Sequence, residues 1–179
     1  MNKIEIEIPD GKVAKWVNGV LTLVDDKLQD ITERIKTLED ACKELGDEHP
    51  LVAEYKLIDG TFTITDNLLA YLKLRIICAA LNEGWKPTLD GVEYRYYVWF
   101  YFYTKGEYEK LDEEKKAHCV PLRSDCNAYT GGGLVCAFAD YAGSHSVTNG
   151  GMRLALKTQE LAEYCGKQFA DIWCDYLFG

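Results

Sequence analysis

At 179 residues, 47% hydrophobic and 27% charged, the chain is long enough for one domain with a real core and lacks the composition of a disordered one. Its formal charge of -9, from 20 Lys+Arg and 29 Asp+Glu spread along the sequence, argues against a broad basic footprint for nucleic acid or anionic lipid. No apolar run approaches a membrane span and MNKIEIEIPDGK has no secretory core, so no membrane association and a cytoplasmic location are expected.

Ile4, Ile6 and Ile8 alternate with Glu5 and Glu7, the period of a half-exposed strand that Pro9-Asp10-Gly11 ends. Asn18-Gly19 then separates VAKWV from VLTLV, the strongest short hairpin signal, because a type I′ turn needs positive φ at both central residues. From Leu28 the spacing becomes three-and-four through Ile31, Ile35, Leu38, Cys42 and Leu45, with Gly46 as the stop. This helix starts either near Asp30, with Glu33 in a capping box, or late at Thr37, whose hydroxyl can cap LEDACKEL. Pro50 fits the first position of a shorter helix over HPLVAEYKLI.

TDNLLAYLKLRIICAALNEG predicts a central helix over 66–83, apolar on most sides, with Thr65 or Asp66 as N-cap and Gly84 as its end. YRYYVWFYFY, 94–103, reads as a strand with Tyr97, Trp99, Tyr101 and Tyr103 on one side and Tyr94, Tyr96, Phe100 and Phe102 on the other. KGEYEKLDEEKKAH is a solvated helix or lid, and CVPLRSDCNAYTGGG a long irregular connection. LVCAFADY and MRLALK read as two strands of a second hairpin around AGSHSVTNGG. Thr158 can cap a C-terminal helix over 158–177, in which Gly166 signals close backbone packing. These elements predict an α+β fold in a single compact domain, 1–179. An antiparallel sheet including the aromatic strand is packed by the central apolar helix and the C-terminal helix, with an N-terminal β-hairpin.

The stretches IEIPDGKVAKWVNGVLTLVDD, ERIKTLEDACKELGDEHPLV, LKLRIICAALNEGWKP, EYRYYVWFYFYT and GGMRLALKTQELAEYCGKQFADIW, which cover most of the chain, resemble a family of uncharacterised proteins from phages and prophages of gut Bacteroidales. The chain departs from that pattern at Val98, where related sequences often carry proline. The resemblance implies a phage-borne gene acting in a bacterial host cell. It carries over no catalytic residue.

Two readings of the aromatic run compete. One is a central strand covered on both sides; the other leaves a face open as a stacking platform or an anchor for a protein. The candidate binding residues are Tyr97, Trp99, Tyr101 and Tyr103 on one face, with Tyr129, Tyr141, His145 and Arg153 beyond the strand. Seven cysteines with no Cys-x-x-Cys read as reduced thiols. His118, Cys119, Cys126, Cys136 and His145 gather metal-ligand types in one region, but their spacings fit no zinc pattern, and neither metal nor cofactor is expected. A Cys-His nucleophile assembled from Cys119 or Cys126 with His145 and Asp125 or Asp140 lacks a recognisable local context. Thr130-Gly131-Gly132-Gly133 lacks the following helix of a phosphate loop.

The expected function is a non-enzymatic accessory protein that binds a protein partner and can form a homo-oligomer. The runner-up is a single-stranded nucleic-acid accessory factor, stacking bases on Tyr and Trp with Arg95, Arg123 and Arg153 as phosphate contacts. The third is a small Cys-His hydrolase or transferase.

Overall fold

The structure is a computed structural model that describes residues 7–9, 11–17, 19–25, 30–59, 63–88, 93–117, 119–121, 134–143 and 152–179. It mixes helix and strand, as the composition and periodicity predict. The chain divides into two compact units, Met1–Arg34 and Ile35–Gly179.

In the first unit, β1 (Lys12–Val17) and β2 (Val20–Asp25) pair antiparallel from Lys12↔Asp25 to Val17↔Val20. The register leaves a two-residue connection between Val17 and Val20, and Gly19 in it has φ 81°, the left-handed region that the turn requires and glycine adopts without a Cβ clash. Cross-strand pairing places Ala14 beside Leu23 and Trp16 beside Leu21 on one face. Trp16 is 74% exposed, and Leu21 and Leu23 are also exposed. A four-residue helix, α1 (Ile31–Arg34), closes the unit.

The second unit begins with α2 (Leu38–Leu45). Its late start is set by Thr37, whose hydroxyl accepts the Asp40 N–H at 3.1 Å while the Asp40 carboxylate accepts the Thr37 N–H at 2.9 Å. Pro50 opens α3 (Pro50–Ile58), with the His49 imidazole accepting the Leu51 N–H. Next comes α4 (Asp66–Leu81), whose buried residues include Ala70, Leu74, Ile77, Cys78 and Leu81 on one side and Leu72, Ile76 and Ala80 on another. Each fully buried Leu or Ile contributes about 1.5–3 kcal/mol, so the apolar sequence of α4 follows from its position among α2, α3 and the C-terminal helices.

The aromatic run forms β3 (Tyr94–Tyr103). Two short helices follow, α5 (Lys105–Tyr108) and α6 (Glu113–Ala117), and then β4 (Cys119–Pro121) and β5 (Leu134–Gly143). The strand order is β3-β5-β4, with antiparallel pairing from Tyr94↔Gly143 to Tyr103↔Leu134 and from Cys119↔Cys136 to Pro121↔Leu134. The chain ends in α7 (Gln159–Gln168) and α8 (Ala170–Phe178). The helix lying on β3 and β5 is α7, whereas α4 is held mainly by helices.

Two expectations are corrected. MRLALK is not a strand of a second hairpin: Met152–Leu154 is a turn of 3-10 helix and only Leu156 makes a β-bridge, to Tyr96. Leu154, Ala155 and Leu156 are buried in succession, with none of the alternation of a half-exposed strand. The Asn82 side chain takes the backbone groups a strand neighbour would use, donating to the Ala155 carbonyl at 2.8 Å and accepting the Lys157 N–H at 3.0 Å. The C-terminal helix is also not continuous, because Phe169, at φ -113° and ψ 31°, separates α7 from α8. Backbone bonds run through the kink, from the Phe169 N–H to Cys165 and from the Trp173 N–H to the Phe169 carbonyl.

Candidate binding site on the aromatic strand

β3 lies at the edge of its sheet, with β5 on one side. On the other side Tyr96 exchanges both backbone bonds with Leu156, at 3.0 and 2.8 Å. Backbone groups alternate in direction along a strand, so those of Val98, Phe100 and Phe102 face the same outer edge as Tyr96. Among the described residues, Val98 and Phe100 have no backbone partner on that side.

The two faces of β3 differ. Phe100 packs against Trp173 of α8 with ring centroids 5.8 Å apart, and Trp173 in turn meets Tyr176 edge-on. On the opposite face Trp99 is 46% and Tyr101 54% exposed, while Tyr103 is half-buried and stacked on Tyr101 at 6.5 Å. The reading of a strand covered on both sides is therefore corrected. One face is open along its C-terminal half, at Trp99 and Tyr101, two of the four positions singled out in the sequence.

The N-terminal half of that same face is closed. Arg95 is 0% exposed, and its Nε, Nη1 and Nη2 have no hydrogen-bond partner among the described residues. The Tyr97 hydroxyl, two residues on, is likewise buried and unpartnered. An unpaired ion taken out of water costs on the order of several kcal/mol, so Arg95 is a costlier orphan than the Tyr97 hydroxyl or the Trp173 indole N–H, which is also buried and unpartnered among the described residues. Burial also removes Arg95 from the phosphate contacts expected of it, because its guanidinium does not reach the surface. The acid two positions before it, Glu93, is engaged elsewhere: Oε1 accepts from the Trp85 indole at 2.8 Å and Oε2 from the Thr88 N–H at 2.6 Å.

Arg153 is exposed on the 3-10 turn. Tyr141 sits on β5 in register with Tyr96, on the alternate set of positions from Tyr97. Tyr129, His145, His118, Cys126, Asp125 and Arg123 lie outside the described residues, as does Thr130-Gly131-Gly132-Gly133. Cys119 and Cys174 are each in a disulfide bond, which corrects the expectation of wholly reduced thiols and removes Cys119 as a thiolate nucleophile. Cys78 and Cys165 are free and buried. The hydrogen bond between their thiols, and then burial, push the Cys78 thiol well above its ordinary value, the opposite of what a reactive cysteine needs. No group of ligating side chains among the described residues could hold a metal ion.

Sequence reasoning missed two features. The burial of Arg95 leaves no signal in YRYYVWFYFY, where an arginine between tyrosines reads as an exposed polar residue. The open face around Trp16 was legible in VAKWV, since a two-stranded hairpin has no second layer to cover it. Set against known protein families, curated proteins and solved structures, the chain matches none.

Proposed function

We propose that the chain is a phage-borne, non-enzymatic accessory protein that acts in the host cytoplasm by binding a protein partner along β3. The observation that supports this reading is the coincidence of an open strand edge at Val98 and Phe100 with exposed Trp99 and Tyr101 side chains. An extended segment of a partner adds to such an edge through main-chain hydrogen bonds, while apolar side chains seat on the aromatic rings. A partner strand fits better than a nucleic acid on a chain of charge -9. No helix among the described residues is long and apolar enough to cross a membrane. In the reducing host cytoplasm, the sulfurs of Cys119 and Cys174 would have to withstand the glutathione pool.

The test is capture of host and phage proteins by the purified chain, compared with two variants. Val98→Pro removes an outward N–H without touching the ladder to β5, and Trp99→Ala with Tyr101→Ala removes the anchors. Both are expected to weaken a captured partner by about tenfold or more with an unchanged far-UV spectrum. Equal capture by all three proteins overturns the reading. A homo-oligomer uses the same edge and is read from the same variants by sedimentation. Single-stranded nucleic acid is the second reading, because Trp99 and Tyr101 also suit base stacking. An anisotropy titration at low salt that shows no binding eliminates it.

A further inference from the structure

We propose that Arg95, with the Tyr97 hydroxyl beside it, is the receptor for a carboxylate group that the described chain does not itself supply. The guanidinium is fully buried and, among the described residues, all three of its nitrogens lack an acceptor. Native interiors leave few buried donors unpaired, and a charged one is the most costly to leave so. Residues two apart on a strand point to the same side, about 7 Å apart at Cα, so the phenol of Tyr97 is a further donor on the Arg95 side. The natural internal acceptor, Glu93, shares that side but has both oxygens held by Trp85 and Thr88.

The chemistry selects the ligand. A planar guanidinium offers paired N–H donors that match the two oxygens of a carboxylate, and the phenol can donate to one of them. One carboxylate neutralises one guanidinium. A phosphate dianion would leave surplus negative charge buried in a chain that already carries -9. The face that carries Arg95 and Tyr97 reaches solvent further along the strand, where Trp99 and Tyr101 are exposed. The inference goes beyond the partner reading and does not depend on the edge at Val98.

The experiment is thermal unfolding of the full chain at neutral pH in sodium acetate up to about 100 mM, against sodium chloride at equal ionic strength, since a ligand that binds only the folded state raises Tm. Acetate is expected to raise the Tm of the wild type, to raise that of Tyr97→Phe by less, and to leave Arg95→Met unmoved. In chloride, Arg95→Met is expected to be at least as stable as the wild type, because it removes an unpaired buried charge. Val98→Pro is expected to keep the full acetate response, which separates failure here from failure of the partner reading. An absent acetate effect in the wild type, an effect that survives in Arg95→Met, or a response to inorganic phosphate alone overturns the proposal. So does an internal pairing with Asp140, the cross-strand neighbour of Tyr97, which would show as equal and non-additive losses of Tm in Arg95→Met and Asp140→Asn.

Discussion

The carboxamide of Asn82 is buried just past the end of α4 and is bonded at both its ends, to the Ala155 carbonyl and to the Lys157 N–H. Removing it strands two backbone groups at once, so Asn82→Leu is expected to cost about 2–4 kcal/mol, measured as a lower urea midpoint at unchanged m-value. A loss below about 0.5 kcal/mol, the range of ordinary surface substitutions, would mean that water replaces the side chain. The adjacent Lys157–Glu83 ion pair, 2.8 Å long but partly exposed, is worth far less. At this scale the sequence shows which residues are buried better than which polar atoms are satisfied. Cys78 and Cys165 sit on apolar helix faces and are buried as their spacing implies. The fate of Arg95 depends on whether an acceptor arrives from elsewhere in the fold, which spacing along one strand does not encode.

Among the elements, α2 carries the clearest local instruction. Thr37→Ala removes the acceptor of the Asp40 N–H and is expected to cost about 1 kcal/mol, with Thr37→Gly costing less. The hydrogen bonds that Asp40 accepts from the Lys36 and Thr37 backbone and the Thr37 side chain hold its carboxyl below the ordinary value of 3.8. A carboxylate depressed in this way adds stability that is fully present above its unfolded value and is lost as the pH falls through its lower folded value. Asp40→Asn is accordingly expected to flatten part of the acid limb of a stability–pH profile. An unchanged limb would show that Asp40 is bonded equally in the unfolded chain. The hairpin at Asn18-Gly19, the start of α3 at Pro50, the apolar α4 and the cap at Thr158 were all legible, because each is set by residues within a few positions of one another. The 3-10 turn at Met152–Leu154 and the kink at Phe169 were not. Asn82, over 70 residues away, captures the backbone that would have made the first a strand, and buried Phe169 meets Tyr164 edge-on at 6.3 Å beside the second.

For the whole molecule, the division at Arg34 and Ile35 bears on stability. A two-stranded hairpin is marginal in water, and the residues from Ile35 onward hold the interlocked helices and the three-stranded sheet. A chain beginning at Ile35 is expected to unfold cooperatively with a Tm within a few degrees of the full chain's, followed by circular dichroism, whereas residues 1–34 alone give no folded signal. A large drop in Tm would show that the first unit supports the second. The division was not legible because both parts carry apolar runs, and the sequence pattern does not tell which apolar surfaces meet.

The bridge between Tyr96 and Leu156 ties the sheet to the helices at its outer edge, in addition to the packing of α7 on β3 and β5. Ala155 and Lys157, on either side of Leu156, are both held by Asn82 at the end of α4. The outer rim of the sheet and the end of α4 are therefore riveted at one point. Any strand added at Val98 would begin two residues from that rivet. Strain imposed at the rim through Leu156 would bear first on the bonds that Asn82 makes to Ala155 and Lys157 at the end of α4.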